Sequence, residues 1–213
     1  MSKSNTVLAI PAPGKTELIE KPYPKRVSGY AIVEIAIAPV CNEATIYRDH
    51  RFEWHDGPEH LGHEGVGTVV DIDDSSRFSI GDRVVVFQGN PCGHCFVCVQ
   101  GLSPTHCLSI PYESHEGGFA PQDVTGGLLG IELANGSESG GFGMARFRLA
   151  PERMLMRIPD GLSFHYAAAA NCSFGANYSF AEEMKVNAGD VVLVAGVGFM
   201  GLGAVINAAY RGA

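Results

Sequence analysis

Six cysteines are the residues of this chain best able to do metal chemistry, and their spacing divides them. Cys92, Cys95 and Cys98 stand three apart, and Cys107 follows nine later. A short loop with thiolates at that spacing can wrap a tetrahedral metal, because Zn–S bonds of about 2.3 Å draw four sulfurs together. Four unrelated buried cysteines are the bland alternative, and a run of CxxC spacings in a loop holding glycine and histidine weighs against it. A nucleic-acid zinc finger is a third reading. No paired histidine ligands follow, and a net charge of −8 does not attract phosphate backbones. His94 and His106, inside the loop, read as exposed rather than ligating.

Cys41 and Cys172 remain, far apart in sequence. Between them lies Leu61-Gly62-His63-Glu64-Gly65-Val66-Gly67. A His-Glu pair among glycines is a weak signal alone, since a lone histidine is more often a satisfied turn residue. Joined to two unexplained cysteines it fits a metal site of the catalytic type. Two thiolates and one imidazole hold zinc and leave the fourth position open. Glu64 then either orients the ligands from behind or serves as a mobile alternate ligand.

A third pattern is Gly196-Val197-Gly198-Phe199-Met200-Gly201, which reads GxGxxG. The apolar run Val191–Ala195 before it predicts a strand covered on both faces, and the apolar stretch to Tyr210 predicts a helix. In that context the glycines allow a tight turn and let a pyrophosphate approach the helix N-terminus, whose free N–H groups favour anions. A plain strand–turn–helix is the alternative.

These groups need a scaffold. The chain has 213 residues, 46% hydrophobic and 18% charged, enough for a buried core in one large domain or two small ones. The 27 glycines and 12 prolines are dispersed, as turns between many short strands would be. Residues 1–160 read as mostly β. Ala31–Ala38 alternates with period two, while Gly65–Ile72 and Arg83–Phe87 are β-branched runs. Residues 108–145 read as loops with at most one strand. Asp71, Asp73 and Asp74 read as a solvated turn. The character changes near Pro159-Asp160-Gly161, and Leu162–Met184 reads as a helix weakened in its middle by Gly175 and Asn177. No run of about 18 apolar residues exists to span a bilayer. The N-terminus does not read as a signal peptide, so a cytoplasmic, reduced setting is expected.

Taken in order, these motifs resemble the zinc-dependent medium-chain alcohol dehydrogenase/reductase family. The resemblance runs from about residue 30 to the end. It rests on Cys41, the GHEGVG of 62–67, the GDRV of 81–84, the cysteine lobe 92–107, the IPDGLSF of 158–164, Cys172 and the GVGFMG of 196–201. It implies a mainly β GroES-like barrel over residues 1–160, carrying the zinc chemistry. Residues 161–213 would be a linking helix and the first βα unit of a Rossmann α/β domain. Cys41, His63 and Cys172 match the catalytic zinc ligands, with Glu64 the carboxylate beside them. Cys92, Cys95, Cys98 and Cys107 match the structural zinc lobe. Gly196, Gly198 and Gly201, with Phe199 and Met200 between them, match the loop that binds NAD or NADP. The substrate implied is a small alcohol or carbonyl compound. No nucleic acid or membrane partner is expected, and a homo-oligomer is.

The chain departs from the family in several places. Where the family often has Ser or Thr two residues after the first zinc cysteine, this chain has Glu43, followed by Ala44. Glu43 has three open roles: the general base, an added ligand, or a side chain turned away. Ala176 stands where a Thr is common near the nicotinamide, and the last gap of the cysteine lobe is one residue longer than usual. The chain stops after the first βα unit. A fragment of a longer protein, or a truncation stabilised by a partner, is therefore expected, with residues 185–213 alone holding dinucleotide poorly. Two other classes stay open: a non-catalytic zinc-stabilised module, and a zinc-poor enone or quinone reductase on the same fold.

Overall fold

Well before residue 30, where the resemblance begins, the chain is already in sheet. In a computed structural model of the chain, the described residues are 4–12, 14–26, 28–41, 45, 59–60, 62, 64–87, 95–101 and 144–213. Strand β1 (Ser4–Ala12) buries Asn5, Val7 and Ala9 on one face, the period-two signature of a half-covered strand. It pairs antiparallel with β2 (Lys15–Pro22) and with the short β4 (Glu59–His60), in the order β2-β1-β4.

The second sheet is larger. Its strands are β3 (Tyr30–Ile37), β5 (Gly65–Asp71), β6 (Arg83–Val86), β7 (Phe147–Pro151) and β8 (Leu155–Arg157), in the order β7-β3-β5-β6-β8. The two sheets meet along β1. Val7 bridges Ala145, and Asn5, fully buried, accepts from the Phe147 N–H and donates to the Phe147 carbonyl, both at 2.8 Å. The Asn5 amide thus supplies one more ladder step where the two backbones part.

β3 differs from the expected alternation. Tyr30, Ala31, Ile32 and Val33 are all buried, because the strand is central and covered on both sides. Ala31 and Val33 pack with Val69, Val84 and Ala150, while Tyr30 and Ile32 pack with Phe147 and Leu149. Each fully buried aliphatic side chain of this kind contributes roughly 1.5–3 kcal/mol. The β3–β5 ladder is irregular near Ile35, which faces Gly67. A Cβ on Gly67 would sit 2.0 Å from the Glu34 carbonyl oxygen, so only glycine lets the strands close there. The acidic turn after β5 is tied down rather than merely solvated. Arg26 pairs with Asp71 at 3.0 Å and with Asp73, and Asp73 also accepts from the Gly29 N–H at 2.9 Å.

Beyond β8 the expected single helix is in fact two. α2 (Phe164–Ala167) runs through a 3-10 turn, Ala168–Ala170, and α3 (Ser173–Glu183) starts afresh. The break falls at Asn171 and Cys172, not at Gly175 or Asn177. Asn177 does not break α3, and its Nδ2 donates to the Ser173 carbonyl one turn back, at 2.7 Å. The predicted strand Val191–Ala195 is not a strand: among the described residues nothing pairs with it, and Val191 and Leu193 are 99% and 94% exposed. A parallel strand needs neighbours on its edges and cover on its faces. The helix α4 (Phe199–Tyr210) after it forms as expected. Among the described residues no helix is long and apolar enough to cross a membrane.

Candidate metal and dinucleotide site

Antiparallel register brings three chain segments to one edge of the larger sheet. Ile37, the last residue of β3, pairs with Val66, and Gly65, the first of β5, pairs with Val86, the last of β6. Cys41 therefore leaves β3 at the edge where Glu64 enters β5. The third segment is pinned there by a side chain. Asn171, 7% exposed, donates its Nδ2 to the Val86 carbonyl at 2.8 Å, and Cys172 follows as the residue that caps α3.

Cys41, Glu64 and Cys172 thereby converge. Each offers a ligand atom, and the three atoms lie within 4.8 Å of one another. The two sulfurs are 3.9 Å apart. Both cysteines are half-buried and Glu64 is fully buried. Burying a carboxylate is costly unless cations or hydrogen bonds meet it, and two thiols beside it enrich the same spot in anionic donors. Two sulfurs and a carboxylate oxygen fit a borderline-soft divalent ion such as zinc.

The glycine turn also reaches this cluster. Gly196 takes the left-handed φ of +93°. A Cβ on Gly201 would lie 1.9 Å from the Gly196 carbonyl oxygen, so the turn folds back on itself too tightly for any side chain. Gly198 caps α4, and a Cβ there would meet nothing within 4 Å. The first N–H groups of α4, which follow Gly198, have no partners inside the helix. The shape fits the close approach of a pyrophosphate.

α3 and α4 are joined by polar side chains that sequence reasoning missed. Ser173 Oγ donates to the Phe199 carbonyl at 2.6 Å, and Asn177 Nδ2 donates to the Met200 carbonyl at 2.9 Å. Farther along, Asn207 Nδ2 donates to the Phe174 carbonyl at 3.2 Å. Gly203 makes room: a Cβ on it would stand 2.4 Å from Ser173 Oγ. The available signal was an asparagine at mid-helix in otherwise apolar sequence, a residue that needs a specific partner there.

Of the residues singled out from sequence, Cys41, Glu64 and Cys172 are brought together, and Gly196, Gly198, Phe199, Met200 and Gly201 form the turn and first residues of α4. Cys95 and Cys98 lie at the start of and within α1 (Phe96–Val99), both half-buried. Glu43, His63, Cys92 and Cys107 lie outside the described residues, as do His94, His106 and the stretch read as loops up to residue 143.

Known proteins resemble this chain. Residues 28–160 match the family model described as the alcohol dehydrogenase GroES-like domain. The chain is 30% identical to the uncharacterised zinc-type alcohol dehydrogenase-like protein YphC of Escherichia coli, over 98% of this chain and 56% of that protein. It is 34% identical to D-altritol 5-dehydrogenase of Agrobacterium fabrum, over 52% of this chain and 34% of that one. The crystal structure of CAD from Helicobacter pylori, complexed with NADP(H), superposes at a TM-score of 0.79. The match has 20% identity and covers 100% of this chain and 58% of the other. The chain thus spans about half the length of the curated relatives it matches.

Proposed function

The chain belongs to the zinc-dependent medium-chain alcohol dehydrogenase/reductase family, and from that premise we propose that it serves an oxidoreductase moving a hydride between an alcohol or carbonyl substrate and NAD or NADP. The observation that carries this reading is the convergence of Cys41, Glu64 and Cys172 within 4.8 Å, beside a glycine turn. On this reading Cys41, His63 and Cys172 hold a catalytic zinc, with Glu64 as orienting or alternate ligand. Cys92, Cys95, Cys98 and Cys107 hold a second, structural zinc. Residues 1–160 form the zinc-binding domain, and 161–213 begin the dinucleotide-binding one.

The metal, when bound, supplies Lewis acidity toward a substrate hydroxyl or carbonyl. The remaining work falls to the chain. The Gly196–Gly201 turn lets a pyrophosphate reach the α4 N-terminus, Gly198 leaving the space. The Ser173 and Asn177 hydrogen bonds fix that turn relative to Cys172. Glu43, two residues after Cys41, accepts the alcohol proton directly or through a water. The likeness to D-altritol 5-dehydrogenase makes polyols the first substrates to try. A homo-oligomer belongs to the same reading.

The alternative is a zinc-stabilised module that assembles with other chains and has no turnover of its own. Metal analysis separates the two. The dehydrogenase reading expects two zincs per chain, one of them lost in Cys172→Ser, and a nicotinamide absorbance change with polyols or simple alcohols. The module expects one zinc and no absorbance change. A Cys172→Ser chain with both zincs at full occupancy would remove the ligand assignment.

A further inference from the structure

Met200 sits inside the glycine turn, yet its side chain points at the cysteine cluster. Its Sδ lies 3.9 Å from Cys172 Sγ, the same separation as between the sulfurs of Cys172 and Cys41. Two sulfurs sharing one tetrahedral ion at a bond length of about 2.3 Å stand about 3.8 Å apart. Cys172 therefore has two sulfur neighbours at the distance of a coordination edge, one a thiol and one a thioether.

The backbone behind Met200 is held in place. Its own carbonyl accepts from Asn177 Nδ2, and the carbonyl before it accepts from Ser173 Oγ, next to Cys172 in sequence. Gly203, one turn on, has no room for a side chain against Ser173. The first turn of α4 is thus clamped against the residue that follows Cys172, and the thioether is presented to the cluster on a fixed support. Met200 is 39% exposed, so an incoming ion can reach it.

We propose that the Met200 thioether is an additional soft donor to the Cys41–Glu64–Cys172 site, which raises its affinity for thiophilic cations such as Cd(II) and Cu(I). The inference rests on reading that cluster as a metal centre. A thioether carries no charge and is polarisable, so it adds little toward a harder ion and most toward a soft one. Because Met200 belongs to the glycine turn, a soft ion held this way also ties the turn to the metal.

The full chain, labelled with selenomethionine and loaded with Cd(II), tests this by X-ray absorption at the selenium edge. A selenium–cadmium path is expected, and it should be absent in Met200→Leu, which keeps the side-chain volume. In chelator competition, Met200→Leu should lose Cd(II) relative to Zn(II) by about tenfold or more, the scale on which groups around a metal tune its affinity. Its zinc stoichiometry should not change. No selenium–cadmium path, a path that persists in Met200→Leu, or an unchanged Cd(II)-to-Zn(II) preference would each overturn the proposal. Cys172→Ser separates this failure from that of the underlying reading. If Cys172→Ser keeps every metal equivalent, the metal centre and the Met200 donor both fall. If it loses one equivalent while Met200→Leu changes nothing, only the Met200 donor falls.

Discussion

The side-chain amide of Asn171 and the carbonyl of Val86 meet at 2.8 Å in the interior, linking the last residue of β6 to the residue before Cys172. This one hydrogen bond crosses from the β unit to the helical one at the point where the cysteine cluster forms. It falls where the chain between α2 and α3 breaks, at Asn171.

Asn171→Ala should therefore cost both stability and metal affinity. Leaving a buried carbonyl short of a partner costs roughly 1–3 kcal/mol. The denaturation midpoint should fall accordingly, and Co(II) should bind more weakly at the Cys41–Cys172 site while the cysteine lobe keeps its ion. A variant that loses stability but binds Co(II) as the parent does would show that Asn171 holds the fold and not the site.

Glu64→Gln removes a charge at a fully buried position without changing side-chain size. Chelators should extract one metal equivalent about 10–100 times more readily, as is usual when a group supporting a metal is altered. The other equivalent should be untouched. Equal extraction rates for both proteins would place Glu64 outside the metal's influence.

Three glycines should respond differently to alanine. At Gly203 the new Cβ would lie 2.4 Å from Ser173 Oγ and 2.7 Å from the Ser173 carbonyl oxygen, which is backbone and cannot swing away. Alanine gains about 1 kcal/mol over glycine in helix propensity. Overpacking costs about 1–3 kcal/mol, so the clash should win and thermal stability should drop. Gly201→Ala should be worse, its Cβ falling 1.9 Å from the Gly196 carbonyl oxygen. Gly198→Ala should leave the melting temperature unchanged, because φ is −69° and nothing lies within 4 Å. Its effect should appear only in dinucleotide affinity, measured by nicotinamide fluorescence.

Acid should weaken the fold through two aspartates. Arg157, by hydrogen bond first, holds the Asp82 carboxyl below the usual aspartate range, helped by the Ser79 N–H. Asp73 is held low chiefly by the Gly29 N–H. A carboxyl with a depressed folded pKa binds fewer protons folded than unfolded. Its contribution is complete above the ordinary aspartate value of about 3.9 and disappears as pH falls through the lowered folded value. Thermal midpoints should thus decline below about pH 4, and Asp82→Asn should flatten part of that decline. An unchanged acid slope in Asp82→Asn would remove Asp82 from the account.

Much of the scaffold was legible because strands and glycine turns announce themselves locally. The β-branched runs at 65–72 and 83–87 became β5 and β6, trimmed at their ends. α4 followed its glycine turn as expected. Less legible was whatever depends on a distant neighbour. Val191–Ala195 has the composition of a buried strand, but composition carries no hydrogen-bond partner. Asn177 looked like a helix weakener, and in place it joins α3 to the Met200 carbonyl.

The sequence alone determined which residues can act: the thiols at 41 and 172, the carboxylate at 64 and the glycines at 196, 198 and 201. Ligand chemistry and backbone freedom are properties of residue type, readable without coordinates. The tertiary structure decided which of these residues meet. Cys41 and Cys172 are 131 positions apart, and they stand 3.9 Å from each other only because antiparallel register aligns the ends of β3, β5 and β6 and Asn171 ties the next segment to that edge. It also decided that the Met200 sulfur faces Cys172. No local pattern encodes that contact, since it depends on two helices docking through Ser173, Asn177 and the missing side chain of Gly203.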